Sequence, residues 1–512
     1  MKQRLLIFLV FCLVSFASAL PEKALAGFDL FDTTSNQLIF PKGDSAFTPF
    51  FEKLDSLVFE NKGKIRILHI GGSHIQADVI SGKIRERFAK TYPATPADRG
   101  FVFPYSAART NTPSSYSSAY RGKWDMSKNV LREITKPLGL LGIAVSTEDP
   151  RAEFTIALNR YNPDPIWYYD QVRLFGYSDS NDVKPILHLD STIILGEFDS
   201  TSSSYVFNLP RLADTLQISM LWNDTLLQDS LAKAIEDSIR QDSINALIPK
   251  DSLSKDSLSE DSLKLAINDS LLTQPALDSM FQDSLVIADT VLRPRFPKFT
   301  LSGILLENKL SGIAYTSVGI NGARVPNYFK EPCPNFEKEL AFFKPDLVIL
   351  AVGINDANVE HFNEKQFMAN YDTLITRLRN ISPNVPIIFT TNNDSYRKKR
   401  RRYVEHPNGE LARQAFFQMA EKYNGAVWDM FSLMGGLGSM KEWEKAGLAK
   451  KDKVHFTHAG YVFLGDMFYR AFLKAYYMHL AKKPAEEPEN KEISPVDKKA
   501  SDSPTAQTEK EK

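Results

Sequence analysis

The apolar and polar positions fall into three textures along the chain. Residues 65–70 (IRILHI) make a compact apolar run ending in Gly71-Gly72, and a helical pattern follows over 79–90. This predicts strand, tight turn and helix. From 140 to 222 the pattern changes to short alternating segments rich in β-branched and aromatic residues (EFTIAL, WYYDQVRLFGY, STIILGEF, SYVFNL, TLQISMLW), parted by Asn, Asp, Pro and Ser turns. That predicts a β-sandwich, with a last strand at 299–306. Apolar strands then recur at 312–318, 346–352, 386–390 and 426–430, with helical stretches at 336–343, 364–380 and 409–423 between them. Strands alternating with helices predict an α/β unit with a parallel, doubly wound sheet, interrupted after its first strand and helix by the β-rich insertion.

Three segments stand outside this core. Lys2 and Arg4, an apolar run over 5–16 and small residues at 17–19 and 24–26 have the form of a secretory signal peptide spanning 1–26. The run is short for a membrane span, so export to a periplasm or cell surface is expected, with no transmembrane segment once the leader is removed; an uncleaved anchor is the alternative. Between 223 and 290 the dipeptide Asp-Ser recurs at irregular intervals of 5, 8 or 9 residues, in a stretch with 13 acidic and 5 basic residues. No solenoid period fits, and the glycines of calcium loops are missing, so this reads as a low-complexity acidic spacer. The charged, Pro- and Ser-bearing end, 481–512, is expected to be disordered. The expected organisation is thus first α/β part 27–139, sandwich 140–222 completed by 291–311, and second α/β part 312–480.

Across the 512 residues, 62 basic and 62 acidic side chains balance, which gives no general signal for nucleic acid. The two cysteines are Cys12, inside the leader, and Cys333, so an intrachain disulfide framework and a multi-cysteine zinc site are excluded for the mature chain. Candidate chemistry gathers where a doubly wound sheet places it, at the carboxyl ends of strands. There stand Gly71-Gly72-Ser73-His74-Ile75-Gln76-Ala77-Asp78, Gly319-Ile320-Asn321-Gly322-Ala323, Gly353-Ile354-Asn355-Asp356 and, late in the chain, Asp452-Lys453-Val454-His455. Acyl transfer by serine needs a base, a carboxylate to orient it, and donors aimed at the developing oxyanion. Ser73, His455 and Asp452 are the candidate catalytic residues; the backbone amides of Ser73 and Gly322 and the side-chain amide of Asn355 are the candidate oxyanion hole. His458 reads as packing at the start of the last helix, and Asp356 as a helix cap.

These four blocks, in this order, resemble the SGNH (GDSL-type) hydrolase superfamily, with Ser73, Gly322, Asn355 and His455 matching its four eponymous residues and Asp452 three before the histidine. The resemblance implies a three-layer flavodoxin-like fold and an ester hydrolase that needs neither metal nor organic cofactor. The phrases GGSHIQAD, RGFVFPYSAARTN and FTLSGILLENKLSGIAYTSVGINGA are further similar to secreted bacterial enzymes that remove O-acetyl groups from peptidoglycan and carry an inserted carbohydrate-binding-like sandwich. That implies a cell-wall glycan partner; the alternatives are an esterase for another acylated polysaccharide or a lipid, and a glycan-binding protein that has lost catalysis. One departure bears on the last: Gly72 stands where the superfamily usually has aspartate. His74 is a candidate substrate contact beside the nucleophile. Trp167 and Tyr168 are candidate sugar platforms, and Arg397, which opens the run Arg397-Lys398-Lys399-Arg400-Arg401-Arg402, is a candidate contact for a polyanionic polymer.

Overall fold

The computed structural model describes residues 29–91, 98–160, 167–222 and 297–483. The leader, the Asp-Ser stretch and the chain beyond 483 lie outside the described residues.

Five strands form the central sheet: β1 (Lys64–Gly71), β2 (Gly312–Gly319), β3 (Leu347–Ala351), β4 (Ile387–Thr390) and β5 (Ala426–Trp428). They lie in the order β2-β1-β3-β4-β5, every pair parallel. This is the flavodoxin-like order. Both faces are buried, and the period of two along β1 divides its side chains between them. Ile65 and Ile67 face α1 (Thr48–Glu60), α2 (Ile80–Thr91) and α6 (His458–Lys482), while Leu68 and Ile70 face α3 (Phe336–Phe343), α4 (Glu364–Ile381) and α5 (Asn408–Tyr423). The result is three layers, helix on sheet on helix.

Between α2 and β2 the chain builds two antiparallel sheets that share one apolar core. One takes Tyr169–Ser178, Ser204–Ala213, Phe299–Glu307 and Ile143–Thr147 as its main strands; the other centres on Glu153–Ala157, Thr215–Trp222 and Val183–Leu189. The edge strands Ser117–Arg121 and Asp125–Lys128 also belong to these sheets, as does Gly100–Val102 on Phe299–Glu307. The β-rich unit therefore begins well before the expected boundary at residue 140. SSAYR and DMSK are edge strands with little apolar alternation, so their pairing leaves a weak trace in the sequence.

The sandwich meets the α/β unit along α3. Phe342 packs tilted against Phe175 and Phe343 edge-on against Phe101, with ring centroids 5.5 and 6.2 Å apart, and the Arg173 guanidinium lies 4.1 Å from the Phe342 ring centre. Buried Glu339 accepts a hydrogen bond from the Leu140 amide at 2.8 Å and one from the Ser302 hydroxyl. A Cβ on Gly139 would fall 1.8 Å from the Glu339 carboxylate, so a side chain here would displace that carboxylate from its place at the seam. No helix among the described residues is long and apolar enough to cross a membrane.

Candidate active site

The strand ends Gly71, Gly319 and Ala351 lie side by side in register, which brings the loops after β1, β2 and β3 together. After β1 the chain turns through Gly72 into the single helical turn Ser73–Gln76, and Ser73 occupies its first position. A Cβ on Gly71 would meet Ile75 Cγ1 at 2.2 Å, and one on Gly319 would meet the Gln76 nitrogen at 2.5 Å and the Gly72 oxygen at 2.8 Å. Both glycines let the turn sit down on the sheet. Gly72 is different: a Cβ there finds its nearest atom, Asn355 Nδ2, at an ordinary 3.5 Å. The position where aspartate is usual is thus roomy, and it faces the Asn355 amide.

Ser73 Oγ is 2.9 Å from His455 Nε2, and His455 Nδ1 is 3.0 Å from Asp452 Oδ2. The other carboxylate oxygen of Asp452 accepts the backbone N–H groups of Val454 and His455, each at 2.9 Å, with Lys453 left-handed (φ 55°) at the turn between them. Burial raises the Asp452 pKa, but those two amides and the imidazole outweigh it and hold the carboxyl below its ordinary range. The ionised carboxylate fixes the Nδ1–H tautomer, which leaves the Nε2 lone pair to accept the Ser73 proton. With side chains 35% and 43% exposed, His455 and Asp452 stand at an open surface that a polymer can reach.

Gly322, in the loop after β2, adopts φ 84° and is exposed, and its amide has no hydrogen-bond partner among the described residues; nor has that of Ser73, as expected at a helix start. Asn355 Nδ2 donates to the Ala323 carbonyl at 3.0 Å, which ties the third block to the second. Asp356 strengthens that tie by accepting the Val325 amide at 3.2 Å, capping the short helix Val325–Tyr328 rather than its own. Burial pushes the Asp356 pKa up to about 7 against the pull of the Val325 amide.

Other candidates fall elsewhere. His74 lies beside the triad, its ring centroid 5.3 Å from that of His455, but its Nδ1 is engaged by the Tyr461 hydroxyl at 2.6 Å and its Nε2 is buried without a partner among the described residues. Burial holds its pKa at about 3, so it packs as a neutral ring behind the base. Trp167 is 6% exposed, with the Arg85 guanidinium 5.8 Å from its ring centre, and a side chain covered in this way offers no face to a sugar. Tyr168 is half-buried, and its carbonyl accepts Asn308 Nδ2. Arg397 lines a cleft together with Asp452. Among the described residues no group of three or more His, Cys, Asp or Glu is placed to hold a metal ion.

Several contributors escaped the sequence reading. Gln76 Oε1 accepts the Asn321 amide at 2.6 Å, while its Nε2 donates to Thr110 Oγ1 and the Asn111 carbonyl, both at 3.2 Å. Asp78, left-handed at φ 52°, is buried between Arg85 and Arg99 and takes hydroxyl donors from Ser81, Ser115 and Ser317. Burial opposes its charge, yet the two guanidiniums and the hydroxyls hold its pKa at about 2. Both residues lie inside the phrase GGSHIQAD, directly after the nucleophile, and that adjacency was the available signal.

A flavodoxin-like parallel sheet thus carries a serine after its first strand, in hydrogen-bond relay with an imidazole and a carboxylate from the loop before the last helix, an arrangement suited to acyl transfer. Residues 298–463 match the GDSL-like Lipase/Acylhydrolase family, which supports an SGNH-type ester hydrolase. Among solved structures, a peptidoglycan O-acetylesterase shares the fold at 18% identity and a TM-score of 0.59, over 86% of this chain and 99% of its own. Smaller matches include an acetylxylan esterase from Geobacillus stearothermophilus (23% identity, 32% of this chain and 73% of its own, TM-score 0.24) and another acetyl xylan esterase (19%, 31% and 80%, TM-score 0.25). No curated protein matches the chain.

Proposed function

We propose that this protein is an exported esterase that removes O-acetyl groups from a carbohydrate, peptidoglycan foremost, through an acyl-enzyme on Ser73. The observation that carries the reading is the unbroken relay from Ser73 Oγ to His455 to Asp452, at 2.9 and 3.0 Å, together with amides of Ser73 and Gly322 that have no partner among the described residues. Ser73 Oγ attacks the ester carbonyl carbon while His455 Nε2 takes its proton. The tetrahedral oxyanion is held by the amides of Ser73 and Gly322 and by Asn355 Nδ2. Collapse expels the sugar alkoxide, which receives the proton from His455, and leaves acetyl-Ser73. Water, deprotonated by the same imidazole, then releases acetate and restores the serine.

Support for the glycan comes from the peptidoglycan O-acetylesterase neighbour, whose match extends over 86% of this chain. The open setting of the triad agrees with a polymeric substrate. The test is acetate release by the purified mature protein from O-acetylated peptidoglycan, beside O-acetylated xylan and beside Ser73→Ala. Release from peptidoglycan that falls at least about a thousandfold in Ser73→Ala supports the reading. Glycan binding with no hydrolysis of any acyl ester would replace it with a binding role.

A further inference from the structure

Next to the catalytic turn lies a cleft of about 410 Å³, lined by Glu360, Arg397, Lys398, Tyr403 and His406 and by Asp452 itself. Its basic wall is a two-stranded hairpin, Tyr396–Lys399 paired with Arg402–Glu405. This hairpin is fastened to the triad: the Tyr396 amide donates to the Lys453 carbonyl at 3.1 Å, and Asn393, just before it, donates to the Val454 carbonyl at 3.0 Å. Whatever the cleft binds is therefore held at a fixed offset from His455.

Two observations give the cleft its chemistry. Other cations nearby are neutralised, Arg413 by Asp429 at 2.7 Å and Lys453 by Glu444 at 3.2 Å. By contrast, among the described residues none of the six side chains from Arg397 to Arg402 has an acidic group within 4.0 Å. Six unpaired cations on one hairpin repel each other and are stabilised by an anionic partner. Secondly, His406 is 3% exposed and bonds to the backbone of Val359, yet among the described residues its Nε2, like Arg397 Nε, is buried with no hydrogen-bond partner. Burial, helped by the charge of Arg397, depresses the His406 pKa, so the ring is neutral and offers an uncharged polar atom beside the guanidinium. Orphaned polar atoms in a native fold call for a partner.

We propose that this cleft is a subsite for the carboxylate groups of the peptide attached to the glycan, with Arg397 and Lys398 as its cations and His406 as a neutral polar contact. The assignment rests on the peptidoglycan reading above and adds to it a reason for selectivity. The ester bond is alike in acetylated peptidoglycan and acetylated xylan, but only the first carries an acidic peptide close to the sugar. Arginine meets a carboxylate through two parallel hydrogen bonds, a geometry a neutral polysaccharide cannot use. The concave setting of the two orphaned nitrogens favours a short substituent over a flat lipid surface.

The experiment compares O-acetylated peptidoglycan fragments with and without their peptides, for the full chain and for Arg397→Ala, Arg397→Lys and Lys398→Ala, with thermal unfolding to verify that each variant folds. For Arg397→Ala, KM on peptide-bearing fragments should rise about tenfold more than on peptide-free ones, with partial recovery in Arg397→Lys. Equal losses on both substrates would overturn the assignment. So would a defect confined to binding of phosphatidylglycerol vesicles, which would give the hairpin to a membrane. Calorimetric titration of the acidic peptide into Ser73→Ala separates this idea from the reading it rests on. Peptide binding that Arg397→Ala removes upholds the subsite even if no acetate is released, and absence of binding overturns it even if acetate release succeeds.

Discussion

Glu339 offers a quantitative test of how the sandwich is joined to the hydrolase unit. Its carboxyl is buried at the seam, against Gly139, with the Leu140 amide and the Ser302 hydroxyl as its hydrogen-bond donors among the described residues. Burial, outweighing those bonds, lifts its pKa from 4.5 to about 7. The folded state therefore binds a proton that the unfolded chain has released between these values, and this group's contribution to stability falls as pH rises through that window. At 1.36 kcal/mol per unit, the loss is about 3 kcal/mol, complete above pH 7. In Glu339→Gln the amide keeps the shape of the protonated acid and carries no charge at any pH. The expected result is equal unfolding temperatures near pH 4.5 and a variant more stable by several degrees at pH 8, read by calorimetry or tryptophan fluorescence. Parallel curves for the two proteins from pH 4.5 to 8 would refute the reasoning, because a solvated Glu339 would have no penalty to remove.

Gln76→Leu leaves the Asn321 amide without its acceptor and frees the loop that carries Gly322, so kcat should fall about ten- to hundredfold with a smaller change in KM, and Gln76→Glu, which keeps an acceptor, should recover part of it. Steady-state kinetics on a soluble acetyl ester decide this; equal loss in both variants would assign Gln76 a packing role only. Gly319→Ala and Gly322→Ala separate two uses of glycine. The first drives a methyl into backbone at 2.5 and 2.8 Å and should cost both folding yield and activity, whereas the second has open space but φ 84°, and should cost about 1 kcal/mol while impairing turnover. Gly72→Ala, at φ −107° with its nearest contact 3.5 Å away, should fold as well as the parent by thermal unfolding.

The parallel sheet was legible because each of its strands is an apolar run flanked by helical periodicity, and the runs at 65–70, 312–318, 346–352, 386–390 and 426–430 all fall on β1 to β5. The serine was legible for a related reason, since it sits where a strand ends and glycines mark that end, whereas the carboxylate and imidazole were legible from their spacing of three residues in one short turn before the last helix. What the sequence hid was decided by partners far along the chain. Trp167 looks like a sugar platform until Arg85, from α2, is seen to cover it. The run from Arg397 to Arg402 looks like a loop because six cations carry no alternation, yet the left-handed Arg400 closes it into a hairpin. Glu339 stands on a helix like any exposed glutamate, and only the approach of Gly139 and Leu140 buries it.

These long-range partners also bear on why an insertion can occupy the middle of a hydrolase without loosening its active site. Chain leading into the sandwich grips the nucleophile turn directly. Arg99 pairs with Asp78 at 2.9 Å, the Ser114 amide donates to the Ala77 carbonyl at 3.1 Å, and Thr110 and Asn111 accept both hydrogens of the Gln76 amide. The return strand closes the same network, since Phe299–Glu307 leads into β2, whose Ser317 donates to Asp78 at 2.8 Å and whose following loop meets Gln76 at Asn321. The nucleophile and the candidate oxyanion loop are thus fixed to each other through both ends of the insertion. Asp78 bears the centre of that load as a buried charge between two guanidiniums, an arrangement that is costly to break by removing any one member. A turn held this way can keep Ser73 in place without the aspartate usual at position 72, because its support comes from below, from residues 76 and 78 and the strands they bind.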